Sequence, residues 1–378
     1  MAVDATYDVV ILGAGIFGSY AALHFNKRQR HVLLVDSELR SWTKASVVNQ
    51  ARVHVGYHYP RSIATARLAH EHLKRFQAEH ASFINTSFTH YYAIDRQGSL
   101  TDAQQFVRFC DFVGIPLRKV TPPDVLRRER LEAVFETTEH SFDPLLIRRH
   151  YTDKLQESAV ELAFGSTVAE AEVDRGSWRL ELLAADGARR TVEAGAVLNA
   201  TYVNINAVNR VFGFGDIPVV HEISEIAMLK CPALTGMGLT VMDGPYVSIM
   251  PYGLSGLHSL SSVLYTHHAI SLENDPTFDC QSLRPDCRPA AIRSCNSCPV
   301  RPPSNIRKIL SQLSLFVKDS ADYYPHGSLF TVKTKLKSSF VDDARPTDIR
   351  VLSSSPTYAV IFSGKINSIY EVERLDAP

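Results

Sequence analysis

Between Ser46 and Ser62 the chain reads SVVNQARVHVGYHYPRS, with two histidines, two tyrosines and two arginines in seventeen residues. A neutral imidazole accepts a proton near neutral pH, so His54 and His58 bring acid–base capacity to a segment already rich in ligand-bonding groups. The stretch begins ten residues after Asp36, the last residue of the apolar run HVLLVD. A second signal lies upstream. Gly13, Gly15 and Gly18 form G-x-G-x-x-G directly after the apolar run DVVIL, and Ile16, Tyr20 and Leu23 follow at helical spacing. In that context the first glycine permits a tight turn and the second lets backbone approach a pyrophosphate. The third lets helix pack on strand, and the helix N-terminus offers free N–H groups to the phosphates. Asp36, eighteen residues after Gly18, is placed to accept ribose hydroxyls of an adenosine, and its charge disfavours a 2′-phosphate.

Four of the six cysteines, Cys280, Cys287, Cys295 and Cys298, fall in C-x6-C-x7-C-x2-C. A structural zinc prefers two close pairs, and only Cys295 and Cys298 have that spacing, so the pattern reads as reduced thiols without a metal.

The elements that must position these groups are legible in outline. Strand, glycine turn, helix and strand within about thirty residues make a βαβ unit. Ala69, Leu73 and Phe76 mark a helix. THYYAID reads as a strand, TDAQQFVRFCDFVG as a helix, and Phe142–Glu161 as a helix started by Asp143-Pro144. SWRLELLA and RTVEAGAVLNA flank the hairpin AADGAR. Residues 205–275 read as β-rich, 276–304 as an irregular Pro/Cys-rich insertion, and Ile306–Val317 as a helix capped by Ser304. TYAVIFSGKINSIYEV closes the chain as strand, glycine turn and helix start.

At 378 residues with 45% hydrophobic content, the chain is long enough for two domains with full cores. Forty Lys plus Arg balance forty Asp plus Glu, so no global basic field argues for nucleic acid or an anionic membrane. No signal peptide and no run of about 18 apolar residues is present, so a soluble, cytoplasmic protein is expected. The apolar strand patterns stop by about residue 85, return near 163–200 and return again at 357–363. A nucleotide domain interrupted in this way suits FAD rather than NAD.

DVVILGAGIFGSYAALHF and HVLLVDSE resemble the FAD-dependent oxidoreductases of the D-amino acid oxidase superfamily, the glycine oxidase, sarcosine oxidase and L-2-hydroxyglutarate dehydrogenase group. SVVNQARVHVGYHYPRS is similar to that superfamily's loop along the flavin, AVLNATYVNIN to its second nucleotide strand, and RPTDIR with VIFSGKINSIY to its C-terminal return. Two departures stand out. Tyr202 follows Ala200-Thr201 where the family often has glycine, and Gly364-Lys365-Ile366-Asn367-Ser368 replaces a glycine-rich motif.

The resemblance implies an α/β fold: a Rossmann-type FAD-binding domain, discontinuous in sequence (1–85, 140–205, 336–378), and a mixed-sheet α+β substrate domain (86–139, 206–335). It implies FAD contacts from Gly13, Gly15, Ile16, Phe17 and Gly18; from Asp36 and Ser37; from Ser46, Asn49 and Gln50; and from Val168, Ala200 and Thr201. Gly364, Lys365, Ile366, Asn367 and Ser368 complete that set.

The implied reaction oxidises a small, carboxylate-bearing amine or amino acid by hydride transfer to the flavin N5, with oxygen or another acceptor taking the electrons. The alternatives are a 2-hydroxy acid dehydrogenase and a non-catalytic FAD-binding protein. His54 is the candidate base, or else a residue that orders its loop through backbone hydrogen bonds. Arg345 is the candidate carboxylate partner, or else a salt-bridge partner of Asp342 or Asp343. Lys365, or the helix start beside it, is the candidate stabiliser of the reduced flavin's negative charge. His267 and His268 lie on a strand, where only one of two neighbours can face a ligand.

Overall fold

Two large sheets form the molecule, and a cleft runs between them. The structure is a computed structural model that describes residues 3–318, 321–338 and 347–375. The first sheet grows from β1 (Ala5–Leu12), whose inner residues Val9 to Leu12 are all buried. Helix α1 (Ile16–Lys27) and β2 (Val32–Asp36) follow, and β1 pairs in parallel with β2 and with Arg189–Asn199. Glu161–Phe164 extends the parallel ladder beyond β2, and Thr357–Phe362 extends it beyond Arg189–Asn199. Strands buried on both faces read as continuous apolar runs, which is why these segments stood out in the sequence. The hairpin Ser166–Asp174 with Ser177–Ala184 adds an antiparallel flank.

Among the described residues the second sheet has nine strands. Tyr324–Leu336 lies against the long strand Val219–Lys230, which also pairs with His267–Ser271 and His258–Ser262. Among the described residues Tyr324–Leu336 pairs with no other strand. Its outer side is met by side chains instead. The Tyr202 hydroxyl accepts from Thr334 N at 2.9 Å and donates to Thr334 O at 2.8 Å, and Asn296 Oδ1 accepts from Phe330 N at 3.1 Å.

A three-stranded sheet of Arg52–Val53, Ile84–Asn85 and His140–Phe142 joins the two halves. It delivers the 46–62 stretch to the cleft. A buried cluster there includes Trp42, Val48, Val53, Tyr57, Tyr92, Phe106 and Met242, so loop and second sheet share one core.

Several expected boundaries move. The region read as β-rich from 205 begins with a helix, Ile205–Val211, held by Asn206: its side chain accepts from Ile217 N at 2.8 Å and donates to Ile217 O at 2.9 Å. The helix around Leu73 is two pieces, Ile63–Glu71 and Leu73–Glu79, parted at His72. The helix read from 142 to 161 is Pro144–Glu157, started as expected by Asp143, whose carboxylate accepts from Leu145 N and Leu146 N. The helix at 306 ends at Leu313, and its cap position is Asn305 rather than Ser304. The Ser304 hydroxyl is drawn to the buried Glu225 carboxylate, although it still accepts from Ile306 N at 3.1 Å.

Candidate FAD and substrate site

One cavity of about 880 Å³ runs through the cleft, lined at one end by Gly13, Gly15, Asp36 and Ser37 and at the other by His54, His58 and Arg61. The glycine turn is as tight as the spacing implied. A Cβ on Gly18 would sit 1.8 Å from Gly13 O, and one on Gly13, whose φ is +99°, would sit 2.7 Å from Ala200 O. Gly18 therefore serves helix-on-strand packing and does not line the cavity, whereas Gly15 faces it. Ile16 N, at the start of α1, donates to Ser46 Oγ at 3.0 Å, so the loop residue meets the helix N-terminus where phosphates are expected.

Asp36 accepts from Ala14 N at 2.6 Å and from Glu38 N at 2.8 Å. Burial pushes its carboxyl up, against the lowering pull of the Lys44 charge and these two N–H groups. Each carboxylate oxygen has two lone pairs, so acceptor capacity remains for a ribose hydroxyl. Asn49 and Gln50 face the cavity, but their polar atoms also shape the loop. Asn49 Nδ2 donates to Ala45 O and Ser46 O, its Oδ1 accepts from Ala51 N, and Gln50 Nε2 donates to Ser248 O. Ile16, Phe17, Ser37, Ser46, Val168, Ala200, Thr201, Gly364, Lys365 and Ile366 line the same cavity.

Two expected contacts lie elsewhere. Asn367 is fully buried and donates to His54 O at 3.1 Å and Ala69 O at 2.7 Å, so it ties the C-terminal turn to the loop. Ser368 donates to Lys365 O at 2.8 Å, inside that turn. Neither lines the cavity. Arg345 lies outside the described residues.

His54 is on the cavity wall, with its Nδ1 3.9 Å from Glu139 Oε1. Glu139 has no exposure and belongs to a buried network. Arg52 donates through Nη1 to Glu139 and to the Tyr92 hydroxyl (2.6 Å), and through Nη2 to Thr240 (2.9 Å) and Ser248 (2.6 Å). The Tyr92 hydroxyl donates to Glu139 at 2.6 Å, and burial pushes Tyr92 well above its ordinary range. His54 thus sits over a charged but internally balanced floor.

Lys365 is 1% exposed. Its ammonium donates to Thr65 O at 3.2 Å and lies 4.4 Å from the Tyr59 ring centre. Of the histidine pair, His267 lines the cavity and His268 turns away to Glu225 at 2.8 Å, as strand alternation requires.

Three features were missed in the sequence. Arg61 lines the cavity and grips Asp243 with two nitrogens, at 2.9 and 3.2 Å. Lys333 and Lys335 reach it from Tyr324–Leu336. Ala290 to Arg293, within the Pro/Cys-rich insertion, form part of its wall. Only Arg61 had a signal, its place in the polar stretch.

The six cysteines are free thiols, and among the described residues no group of three or more His, Cys, Asp or Glu is arranged to hold a metal ion. Burial is the main cause that lifts Cys295 to about 12, with the neighbouring Cys287, Cys280 and Cys298 adding to it. Among the described residues no helix is long and apolar enough to cross a membrane.

The tight glycine turn, the Asp36 carboxylate beside it and a cavity continuous to His54 fit a long dinucleotide such as FAD. The chain belongs to the FAD dependent oxidoreductase family, whose model matches residues 8–275. This is the D-amino acid oxidase superfamily, a family of FAD-dependent oxidoreductases. It is 25% identical over 262 residues to the FAD-dependent monooxygenase FPY4 of Fusarium mangiferae, a match over 69% of this chain and 65% of the relative. Less than two thirds of that relative's length is therefore spanned.

Among solved structures, the fold is similar to glycine oxidase from Geobacillus kaustophilus. The TM-score is 0.71 at 15% identity, over 98% of this chain and 95% of that one. It is also similar to L-alpha-glycerophosphate oxidase from Mycoplasma pneumoniae (TM-score 0.73, 11% identity, 98% and 93%). L-amino acid deaminase from Proteus vulgaris is a third such structure (TM-score 0.70, 13% identity, 99% and 93%).

Proposed function

We propose that this oxidoreductase acts on a small amine or amino acid bearing a carboxylate, with His54 as proton acceptor. The observation that carries the reading is the position of His54 on the wall of the same cavity that begins at Gly13 and Asp36. A ligand seated on the glycine turn reaches the histidine without leaving the cleft. When bound, FAD supplies the two-electron acceptor for the substrate carbon. His54 takes the proton from the substrate amine. Its ring is held over the Arg52–Glu139–Tyr92 floor, and Asn367 fixes its backbone carbonyl.

Solved structures with this fold include enzymes named for glycine and for L-amino acids, which agrees with the same substrate class. The fold shared with a glycerophosphate oxidase supports a second reading, oxidation of a 2-hydroxy acid, because an imidazole serves a hydroxyl as well as an amine. Oxygen or another acceptor then takes the electrons. In this proposal the sheet around β1 forms the cofactor domain and the nine-stranded sheet the substrate domain.

Anaerobic mixing of the FAD-loaded protein with panels of amino acids, amines and 2-hydroxy acids tests the proposal. Bleaching of the flavin absorbance by a carboxylate-bearing amine supports it. Bleaching by hydroxy acids alone selects the second reading, and a flavin that no member of either panel reduces overturns both.

A further inference from the structure

The family match ends at residue 275, and the Pro/Cys-rich insertion begins at 276. It is held across the cleft by four hydrogen bonds that converge on cofactor-side and roof elements. Arg293 Nη1 donates to Ser37 O at 2.8 Å, and Ser294 Oγ donates to Thr43 O at 3.0 Å. Ile292 N donates to Asn204 Oδ1 at 3.0 Å, and Asn296 Oδ1 accepts from Phe330 N at 3.1 Å. Ser37, Thr43 and Asn204 all line the cavity, as do Ala290, Ala291, Ile292 and Arg293 themselves. The Ile292 side chain is 2% exposed and packs with Val203, Ile223, Phe278 and Val332, while Cys280, Cys287 and Cys295 pad the same cluster. The segment is thus a buttressed strap and not a loose loop.

We propose that this strap is the outer wall of the adenosine compartment and that Arg293 is an FAD-binding residue of this chain. Ser37, to which Arg293 is tied, follows the ribose-side acid Asp36 directly. The guanidinium is a planar cation suited both to the face of an adenine and to a phosphate oxygen. FAD enters and leaves this end only when the strap lifts, so its exchange is governed by an element outside the matched family region. The inference rests on FAD binding and is independent of which substrate is oxidised.

The sequence of the strap provides its own probe. Between 276 and 304 there is no lysine, and of the four arginines Arg284, Arg288 and Arg301 precede proline, leaving Arg293–Ser294 as the bond open to trypsin. The apo and FAD-loaded full-length proteins are digested side by side, with the exposed hairpin bond Arg175–Gly176 as internal reference. FAD and ADP are expected to slow cleavage at Arg293–Ser294 about tenfold relative to the reference bond, the effect of about 1.4 kcal/mol of ordering. FMN, which lacks the adenosine, is expected to give no protection. Equal cleavage with and without FAD, or protection by FMN equal to that by ADP, overturns the proposal.

As a second measurement, Arg293→Ala is expected to raise the FAD dissociation rate, read by recovery of flavin fluorescence on dilution, about fivefold for one hydrogen bond of ordinary strength. Arg288→Ala, in the same insertion but with an exposed side chain that donates to Pro285 O, is expected to leave that rate unchanged. Equal dissociation rates for Arg293→Ala and the unsubstituted protein also overturn the assignment.

Discussion

Replacing Glu139 by glutamine isolates the charge in the floor beneath His54. The side chain keeps its size and its acceptor oxygen toward Val55 N, but the negative partner of Arg52 is lost. Arg52 is 4% exposed and Glu139 is fully buried, so the guanidinium is left with only the neutral hydroxyls of Tyr92, Thr240 and Ser248. Removing one member of a buried ion pair costs about 3–5 kcal/mol, because the remaining charge keeps its desolvation penalty without compensation. At roughly 1.3 °C per kcal/mol for a chain of this size, the melting temperature should fall by roughly 4–6 °C. The assay is a thermal melt of the FAD-loaded protein followed by near-ultraviolet circular dichroism, in low and high salt. Salt should change the difference little, since the pair is screened from solvent. Arg52→Met combined with Glu139→Leu removes both charges and should recover a large part of the loss. A Glu139→Gln protein that melts within 2 °C of the original, or a double variant no better than the sum of its parts, refutes the reasoning.

Other consequences are simpler to state. His54→Ala should slow substrate-driven flavin reduction about 10²–10⁴-fold while FAD is retained, and equal loss of both would make the residue structural. Gly18→Ala places a methyl 1.8 Å from a carbonyl oxygen, so it should abolish FAD uptake or folding, whereas an FAD-loaded variant would contradict the packing described. Burial lowers His80 to about 4 from its ordinary value of 6.5, with the Phe76 carbonyl and the Glu79 charge pulling the other way. Its neutral form is the folded one, so stability present above about pH 6.5 is lost as pH falls toward 4, by at most about 1.4 kcal/mol per pH unit. His80→Gln should flatten that part of a melting-temperature–pH curve, and an unchanged slope would count against it.

Local pattern carried much of the fold. The βαβ unit, the hairpin at AADGAR, the Asp143 start and the closing strand are all written in short-range periodicity, and the interrupted nucleotide sheet follows from where the apolar runs recur. The glycine turn was legible because a strand running straight into a helix leaves no room for side chains at Gly13 and Gly18, and Asp36 because it ends the next apolar strand. Asn367 and Ser368 were misread as ligand contacts because their true partners are His54 O, Ala69 O and nearby turn atoms, and the first two lie about three hundred residues away in sequence. The helix Ile205–Val211 is too short to show a period, and its anchor, Asn206 to Ile217, lies outside any local window. Nothing in the composition of 276–304 announced a wall of the cavity, since irregular backbone carries no period at all.

The φ of Tyr202, +56°, lies in the left-handed region that favours glycine. A bulky residue there costs about 1–2 kcal/mol of strain, offset by the two hydrogen bonds of its hydroxyl to Thr334 and by stacking on Phe362. What the strain secures is the outer margin of Tyr324–Leu336. A thirteen-residue strand with an open margin is a template onto which another chain can add, the starting point of self-association. Tyr202 and Asn296 occupy donors and an acceptor on that margin. Colloidal behaviour and cofactor binding are therefore joined in this fold. The residue after Thr201 in the cofactor cleft also shields the strand, and the strap that encloses the adenosine supplies the other shield.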